Sequence, residues 1–249
     1  MNVLITGASS GIGCEMAKLL CSSGNVVYGI ARRRERLNEL KNSLGENFVP
    51  VCADISSKNE CIRIYNEFSD KNIDVLINNA GTGIFGKFLD TDLNKELDMI
   101  NLNISSVHIL TKLFLRNFIE KDRGYIMNVS SAAGFMMGPL FSSYYASKAY
   151  VLRLTQAIKR ELTQEKTSVH ICALCPGPVK TEFDKTANVK NSFGGLDADY
   201  VAKYALKMMF KGKTVIIPSF TMKASVFFSK HMPDTLLSKI TYFLQSKKL

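Results

Sequence analysis

A chain of 249 residues, 46% hydrophobic and 22% charged, can build one sizeable core and is too apolar for a disordered or collagen-like polymer. Its net charge of +10 is lopsided: residues 201–249 carry nine Lys against one acid, Asp234, a net +8 that leaves +2 for the first 200. A basic tail on a nearly neutral body argues for solubilising charge on helix faces or a local docking surface, and with no helix-turn-helix, zinc-finger or basic-zipper pattern it argues against nucleic acid as a partner.

The first predicted strand, 2–6, follows no basic leader, and no apolar run reaches the roughly 18 to 20 residues of a membrane span, so a cytoplasmic chain is expected. The strand runs into Thr-Gly-Ala-Ser-Ser-Gly-Ile-Gly at 6–13 and a helix beginning near Ile12. Glycines 7, 11 and 13 let the backbone turn tightly and approach a pyrophosphate, whose charge sits among the unpaired N–H groups of the helix start. The second strand, 25–31, ends in Ala31, Arg32, Arg33 and Arg34. Ala31 stands where a ribose-binding acid would, and a guanidinium suits a 2′-phosphate, so NADP is expected rather than NAD. Arg34 and Arg36 read as the start of a solvated helix.

Further strands are predicted at 48–53, 73–78, 124–130, 168–175 and 214–217, with helical patterns of about 10 to 25 residues between them. Cys172 and Cys175 form a CxxC pair, but they lie in the apolar sixth strand and read as reduced core thiols. His108, His170 and His231 have no spacing that suits a metal or a hydrolase site, so no metal is expected. Strict alternation of strand and helix implies one α/β domain: a doubly wound parallel sheet of Rossmann type, in three layers, with ligands at the carboxyl ends of the strands.

Taken together, the glycine-rich turn, Asp54-Ile55, Asn78-Asn79-Ala80-Gly81, Asn101, Met-Asn-Val-Ser-Ser at 127–131, Tyr-Tyr-Ala-Ser-Lys at 144–148 and Pro-Gly-Pro-Val-Lys-Thr at 176–181 resemble the short-chain dehydrogenase/reductase family over about residues 1–218. The resemblance implies an oxidoreductase that interconverts a ketone or aldehyde and its alcohol. It implies cofactor contacts from Gly7, Ser9, Ser10, Gly11, Ile12, Gly13, Arg32, Arg33, Asp54, Ile55, Asn79, Ala80, Gly81, Tyr144, Lys148, Pro176, Gly177, Val179 and Thr181. It also implies a catalytic set of Asn101, Ser131, Tyr144 and Lys148. Tyr144, rather than Tyr145, stands four before Lys148 in the family's Tyr-x-x-x-Lys pattern, and Ser131, rather than Ser130, has the family's spacing of 13 before Tyr144. Four residues apart on a helix, Tyr144 and Lys148 share a face, and an ammonium there, with an oxidised nicotinamide, is expected to pull the phenol toward neutrality. The resemblance gives Asn101 the holding of a water that links Lys148 to solvent.

Segments 82–88, 132–143 and 182–195 are expected to line the substrate pocket, and the run Gly-Phe-Met-Met-Gly-Pro-Leu-Phe at 134–141 makes an apolar carbonyl the expected substrate. Beyond residue 218 the chain departs from the common pattern with two amphipathic stripes: Phe220, Ala224, Phe227 and Phe228, then Leu236, Leu237, Ile240, Phe243 and Leu244. This extension, 219–249, is expected to pack on the same domain, over the active site or across a subunit contact, in preference to lying on a membrane. A homodimer or homotetramer through the helices at 92–120 and 142–166 is implied by the resemblance. Two other readings remain beside the main one: 3-oxoacyl carrier-protein reduction, and a non-catalytic NADPH-binding sensor or scaffold.

Overall fold

A computed structural model describes residues 1–189 and 194–247. Its seven-stranded parallel sheet has the order β3-β2-β1-β4-β5-β6-β9. In chain order these strands are β1 (Asn2–Thr6), β2 (Val26–Ala31), β3 (Phe48–Cys52), β4 (Ile73–Asn78), β5 (Tyr125–Val129), β6 (His170–Leu174) and β9 (Val215–Ile216). All seven predicted strands are present, each within two residues of its expected bounds. A second, two-stranded sheet pairs β7 (Val179–Lys180) with β8 (Leu196–Asp197); such short strands carry no period for sequence to announce.

The pleat of β1 sorts the core into two layers. Val3 and Ile5 meet Met16 and Leu20 of α1 (Gly11–Ser22) and Met209 of α8 (Ala198–Phe210). Leu4, one residue out of phase, points to the other face, against Phe68 of α3 (Lys58–Phe68) and Phe114 and Phe118 of α5 (Ser106–Glu120). With both faces covered, the strands are buried along almost their whole length, and Cys172 and Cys175 are at 0% exposure with both thiols pushed up by that burial. All six cysteines are free.

The strand order reverses between β1 and β4, the position where an open parallel sheet leaves a crevice at its carboxyl edge. The remaining helices are α2 (Arg34–Leu44), α4 (Leu93–Ile100), α6 (Ser142–Gln164), α7 (Phe183–Thr186), α9 (Phe220–Ser229) and α10 (Asp234–Ser246). A π turn, Asn101–Ser105, interrupts the run from α4 into α5. The two C-terminal helices meet the body through narrow faces: Met222, Val226 and Ser229 turn inward from α9, and Leu237, Thr241 and Gln245 from α10. Most of the predicted apolar stripe faces outward, with Phe220 at 83%, Phe228 at 64% and Phe243 at 59% exposure. Only Leu237 of the second stripe is buried. Amphipathicity in the sequence located the helices, but the body is gripped by their smaller side chains.

Candidate active site

At the crevice, β1 ends in a turn that brings the chain against its neighbours at close range. Gly7 has φ +68°, and a Cβ at Gly13 would stand 2.6 Å from the Gly7 carbonyl oxygen and closer still to Asn79 Nδ2. Thr6 Oγ1 accepts the N–H groups of Asn79 and Ala80, both at 3.0 Å, while Asn79 Nδ2 donates to the carbonyls of Thr6 and Gly7. The start of α1 carries no side-chain cap and no acid in its first turn, so its amides face the crevice uncompensated. Ser9, Ser10, Gly11 and Thr181 line an open cleft of about 660 Å³ there. Thr181 lies across Gly11, and Val179 and Ile12 pack against the first core layer. A dinucleotide phosphate fits the glycine-rich turn, where no larger residue fits at Gly13 and the first-turn amides are uncapped, while Glu15, Arg36, Lys180, Glu182 and Asp184 also line the cleft.

The arginines sort themselves in a way only partly expected. Arg32 is 71% exposed in its side chain and reaches Asp54 at 3.9 Å, with Ile55 buried beneath at 5%. Arg33 donates to Ser9 Oγ and Ser10 Oγ at 3.1 and 2.9 Å and to Glu182 at 2.9 Å. Arg36, expected to be a solvated helix residue, also reaches Glu182, at 2.7 Å. Hydrogen bonds from Arg33 and then Arg36 hold the Glu182 carboxyl below its usual range. Glu182 opens the segment expected to line the pocket, but its pairing with the arginines was not expected, nor was Arg36 in the site, although Arg36 follows Arg33 by three and so shares its face.

On the other side of the crevice, β5 ends at Val129, and the next two serines diverge. Ser130 Oγ is buried and donates to the carbonyl of Lys148 at 2.7 Å. Ser131 faces the Tyr144 phenol closely enough to act on its titration, accepts the N–H of Ala133 at 3.1 Å and reaches the Pro176 carbonyl at 3.5 Å. Lys148 Nζ donates to the Val129 carbonyl at 2.9 Å and lies 5.8 Å from the Tyr144 ring centre. The structure therefore brings Ser131, Tyr144 and Lys148 together.

Asn101 does not join them. Its side chain is exposed, whereas Asn103, two residues on, is at 0% exposure. Asn103 Oδ1 accepts the N–H of Thr82 at 3.0 Å, and its Nδ2 donates to the Thr82 carbonyl at 2.9 Å and to Ser147 Oγ at 3.1 Å. Asn103 Oδ1 and Lys148 Nζ both lie 3.2 Å from the point where a Cβ on Gly81 would stand. The structure thus places Asn103, and not the expected Asn101, beside Lys148, within a π turn that interrupts the ordinary helical ladder, a feature frequent at functional sites. A signal was present in the sequence: Met99, Asn103, Val107, Leu110, Phe114 and Phe118 form one helical stripe, and Asn101 lies off it.

Burial governs the titration of this group. It pushes the Tyr144 phenol well above its ordinary value, with the Ser131 side chain acting the other way, and it brings the Lys148 ammonium down to about 8. The expected depression of Tyr144 is therefore not delivered by the protein's own groups. The three segments expected to line a pocket are tied together: Phe85 N–H donates to the Ala187 carbonyl at 3.0 Å and Gly86 N–H to the Leu140 carbonyl at 2.8 Å. They gather Phe85, Met99, Leu140 and Phe141 into an apolar cluster around Tyr144, on which Phe141 stacks at 4.5 Å and Phe183 leans at 5.2 Å. Residues 190–193 of the expected lid lie outside those described. Met222 of α9 covers Gly177, where a Cβ would stand 2.7 Å from its Cγ. Among the described residues no group of His, Cys, Asp and Glu is arranged to hold a metal, and no helix is long and apolar enough to cross a membrane.

Comparison with known proteins identifies the family. The family model of short chain dehydrogenases matches residues 1–192. A short-chain type dehydrogenase/reductase of Sinorhizobium fredii is 37% identical over 185 residues, covering 74% of this chain and 72% of its own. A 3-oxoacyl-[acyl-carrier-protein] reductase of Rickettsia prowazekii is 32% identical over 190 residues, 75% of this chain and 76% of its own. A solved short-chain dehydrogenase of Sphingobium yanoikuyae in complex with NADPH superposes with a TM-score of 0.82 at 28% identity, covering 88% of each chain.

Proposed function

The chain belongs to the short-chain dehydrogenase family, and from that premise we propose that it is an NADP(H)-dependent oxidoreductase that interconverts an apolar ketone or aldehyde and its alcohol. The observation that carries this reading is the contact of Ser131 with Tyr144 on a helix that places Lys148 one turn beyond, all at the mouth of a phosphate cradle. A bound nicotinamide dinucleotide supplies the hydride chemistry, and the chain's own groups bind, orient and move the proton.

The first-turn amides of α1, with Ser9 and Ser10, hold the pyrophosphate, and Asp54 and Ile55 flank the adenosine. Arg32, Arg33 and Arg36 favour a ribose carrying a 2′-phosphate, because no acid stands at Ala31, Arg32 follows it at the surface, and Arg33 and Arg36 converge nearby on Glu182. Ser131 donates to the substrate oxygen and holds it beside the phenol. Tyr144, kept protonated by burial, gives its proton to that oxygen as the alcohol forms and takes it back in the reverse direction. Lys148 stabilises the phenolate by its charge and, with Asn103 at its side, communicates with solvent. Phe85, Leu140, Phe141 and Phe183 exclude water and favour an apolar substrate.

A second reading, reduction of a 3-oxoacyl thioester on an acidic carrier protein, is favoured by the net +8 of residues 201–249 and by the Rickettsia relative. NADPH oxidation against aldehydes, aromatic diketones, steroids and acyl thioesters, with NADH and Tyr144→Phe as controls, tests both. The expected result is NADPH-preferring turnover of bulky apolar carbonyls, with kcat lost by about a thousandfold or more in Tyr144→Phe while NADPH binding persists. Turnover retained in that variant would overturn the assignment of Tyr144, and a ranking led by acyl thioesters would select the second reading. Tight NADPH binding without any turnover would return the chain to a sensor or scaffold.

A further inference from the structure

On α9, at 100° per residue, Phe220, Ala224, Phe227 and Phe228 fall within an arc of about 100°, opposite the inward Met222, Val226 and Ser229. On α10, Leu236, Ile240, Phe243 and Leu244 fall within a similar arc, turned away from Thr241 and Gln245. The inward faces are anchored: Gln245 Nε2 meets the Tyr145 hydroxyl at 2.5 Å, and Met222 seats on Gly177. The outward faces are not covered by the body, with Phe220 at 83%, Phe227 at 60%, Phe228 at 64% and Phe243 at 59% exposure. Lys223, Lys230, Lys239 and Lys247 lie on or beside these two helices and are exposed, and Asp234 is the one acid of the region.

We propose that α9 and α10 form a docking surface for an anionic lipid bilayer, with their aromatic and aliphatic stripes entering the interface and their lysines meeting the headgroups. Charge selects this occupant. A second copy of the chain joined through the same face would set one region of net +4, residues 219–249, against another, since a two-fold contact pairs a patch with itself. The other exposed apolar group, Phe88, Leu89, Leu93 and Leu97, is different: it lies among Lys87, Lys95, Asp90, Asp92 and Asp98, a nearly balanced set that suits a second copy. Phe and Leu on one face with Lys beside them is the composition of a helix that lies in the plane of a membrane surface, and neither helix has the length to cross one.

The test uses the full chain and vesicles of phosphatidylcholine alone or with about 30% phosphatidylglycerol, separated by sedimentation. The expected result is partition onto the anionic vesicles, weakened by raised salt. A Phe227→Ser, Phe243→Ser double variant with an unchanged melting point is expected to lower the partition coefficient by about tenfold or more. Equal soluble protein with and without phosphatidylglycerol overturns the proposal. So does a wild-type dimer by size-exclusion light scattering that the same double variant converts to monomers, because the stripes would then cover one another.

Discussion

At the carboxyl ends of β4 and β5 the molecule holds Asn78, Asn103, Asn128, Thr155 and Lys148 at 4% exposure or less, while α9 leaves Phe220, Phe227 and Phe228 at 60% or more. Both regions run against the ordinary sorting of polar and apolar side chains, and in opposite senses. The buried groups are tied into the interior, although Asn78 Oδ1 has no partner among the described residues: Asn128 Oδ1 accepts from Asn78 Nδ2 at 2.9 Å and Thr111 Oγ1 at 3.2 Å, its Nδ2 donates to Thr155 at 3.0 Å, Asn103 bonds Ser147 and Lys148 bonds the Val129 carbonyl. The exposed aromatics have no such internal compensation. Polarity inside is a fixed framework that aims the site, and apolarity outside is surface available to something else.

The largest effect on stability should come from cutting the framework at its centre. Asn128→Ala removes three hydrogen bonds and leaves Asn78, Thr111 and Thr155 short of partners in a dry interior. It is expected to cost about 3 kcal/mol or more, read by urea unfolding. A loss below about 1 kcal/mol would show that the network is not what stabilises these strand ends.

Next in size is the pair of asparagines. Asn103→Ala is expected to lower kcat by about tenfold to a hundredfold and to shift the pH–rate profile, since Asn103 stands with Lys148 at Gly81; Asn101→Ala, on the exposed side of the π turn, should stay within about twofold. The reverse outcome would restore Asn101 to the site.

The sequence exposed these features unevenly. The seven strands were legible because each is a run of β-branched and aliphatic residues closed by a turn signal, and Tyr144, Ser131 and Lys148 because their spacing is a pattern in itself. Asn101 and Asn103 are the same residue type two positions apart, and the resemblance pointed to Asn101; the buried stripe from Met99 to Phe118 is what separates them. Glu182 was placed in the pocket-lining segment, but its pairing was not legible because Arg33 and Arg36 are about 150 residues away along the chain. The apolar stripes of α9 and α10 were visible, but a helical period says that two faces differ and not which one meets the body.

Lys148 gives a smaller, pH-dependent contrast. Its folded value near 8 lies below the ordinary lysine value of about 10.4, so the unfolded chain binds the proton more readily between those limits. The buried charge therefore costs stability in full below about pH 8, and the cost fades as pH rises toward 10.4. Lys148→Met should raise the melting point by roughly 3 °C or more at pH 7, and the gap to the wild type should narrow between pH 8 and 10. A gap that is constant with pH would mean that the ammonium is solvated in the folded protein.

The smallest expected effect lies in the tail, and its smallness carries the meaning. Phe228 is 64% exposed, with its ring edge-on to Phe227 at 5.7 Å, so little of its apolar surface leaves water on folding. Phe228→Ser is expected to change unfolding free energy by no more than about 0.5 kcal/mol, against roughly 3 to 5 for a fully buried Phe such as Phe114 changed to Ala. Denaturation midpoints of the two variants measure the difference directly. A large loss in Phe228→Ser would place that ring in a packed interface of the isolated protein and end the contrast between the two regions. A negligible loss leaves a large aromatic that folding does not use, held outward by a helix whose other face is firmly seated.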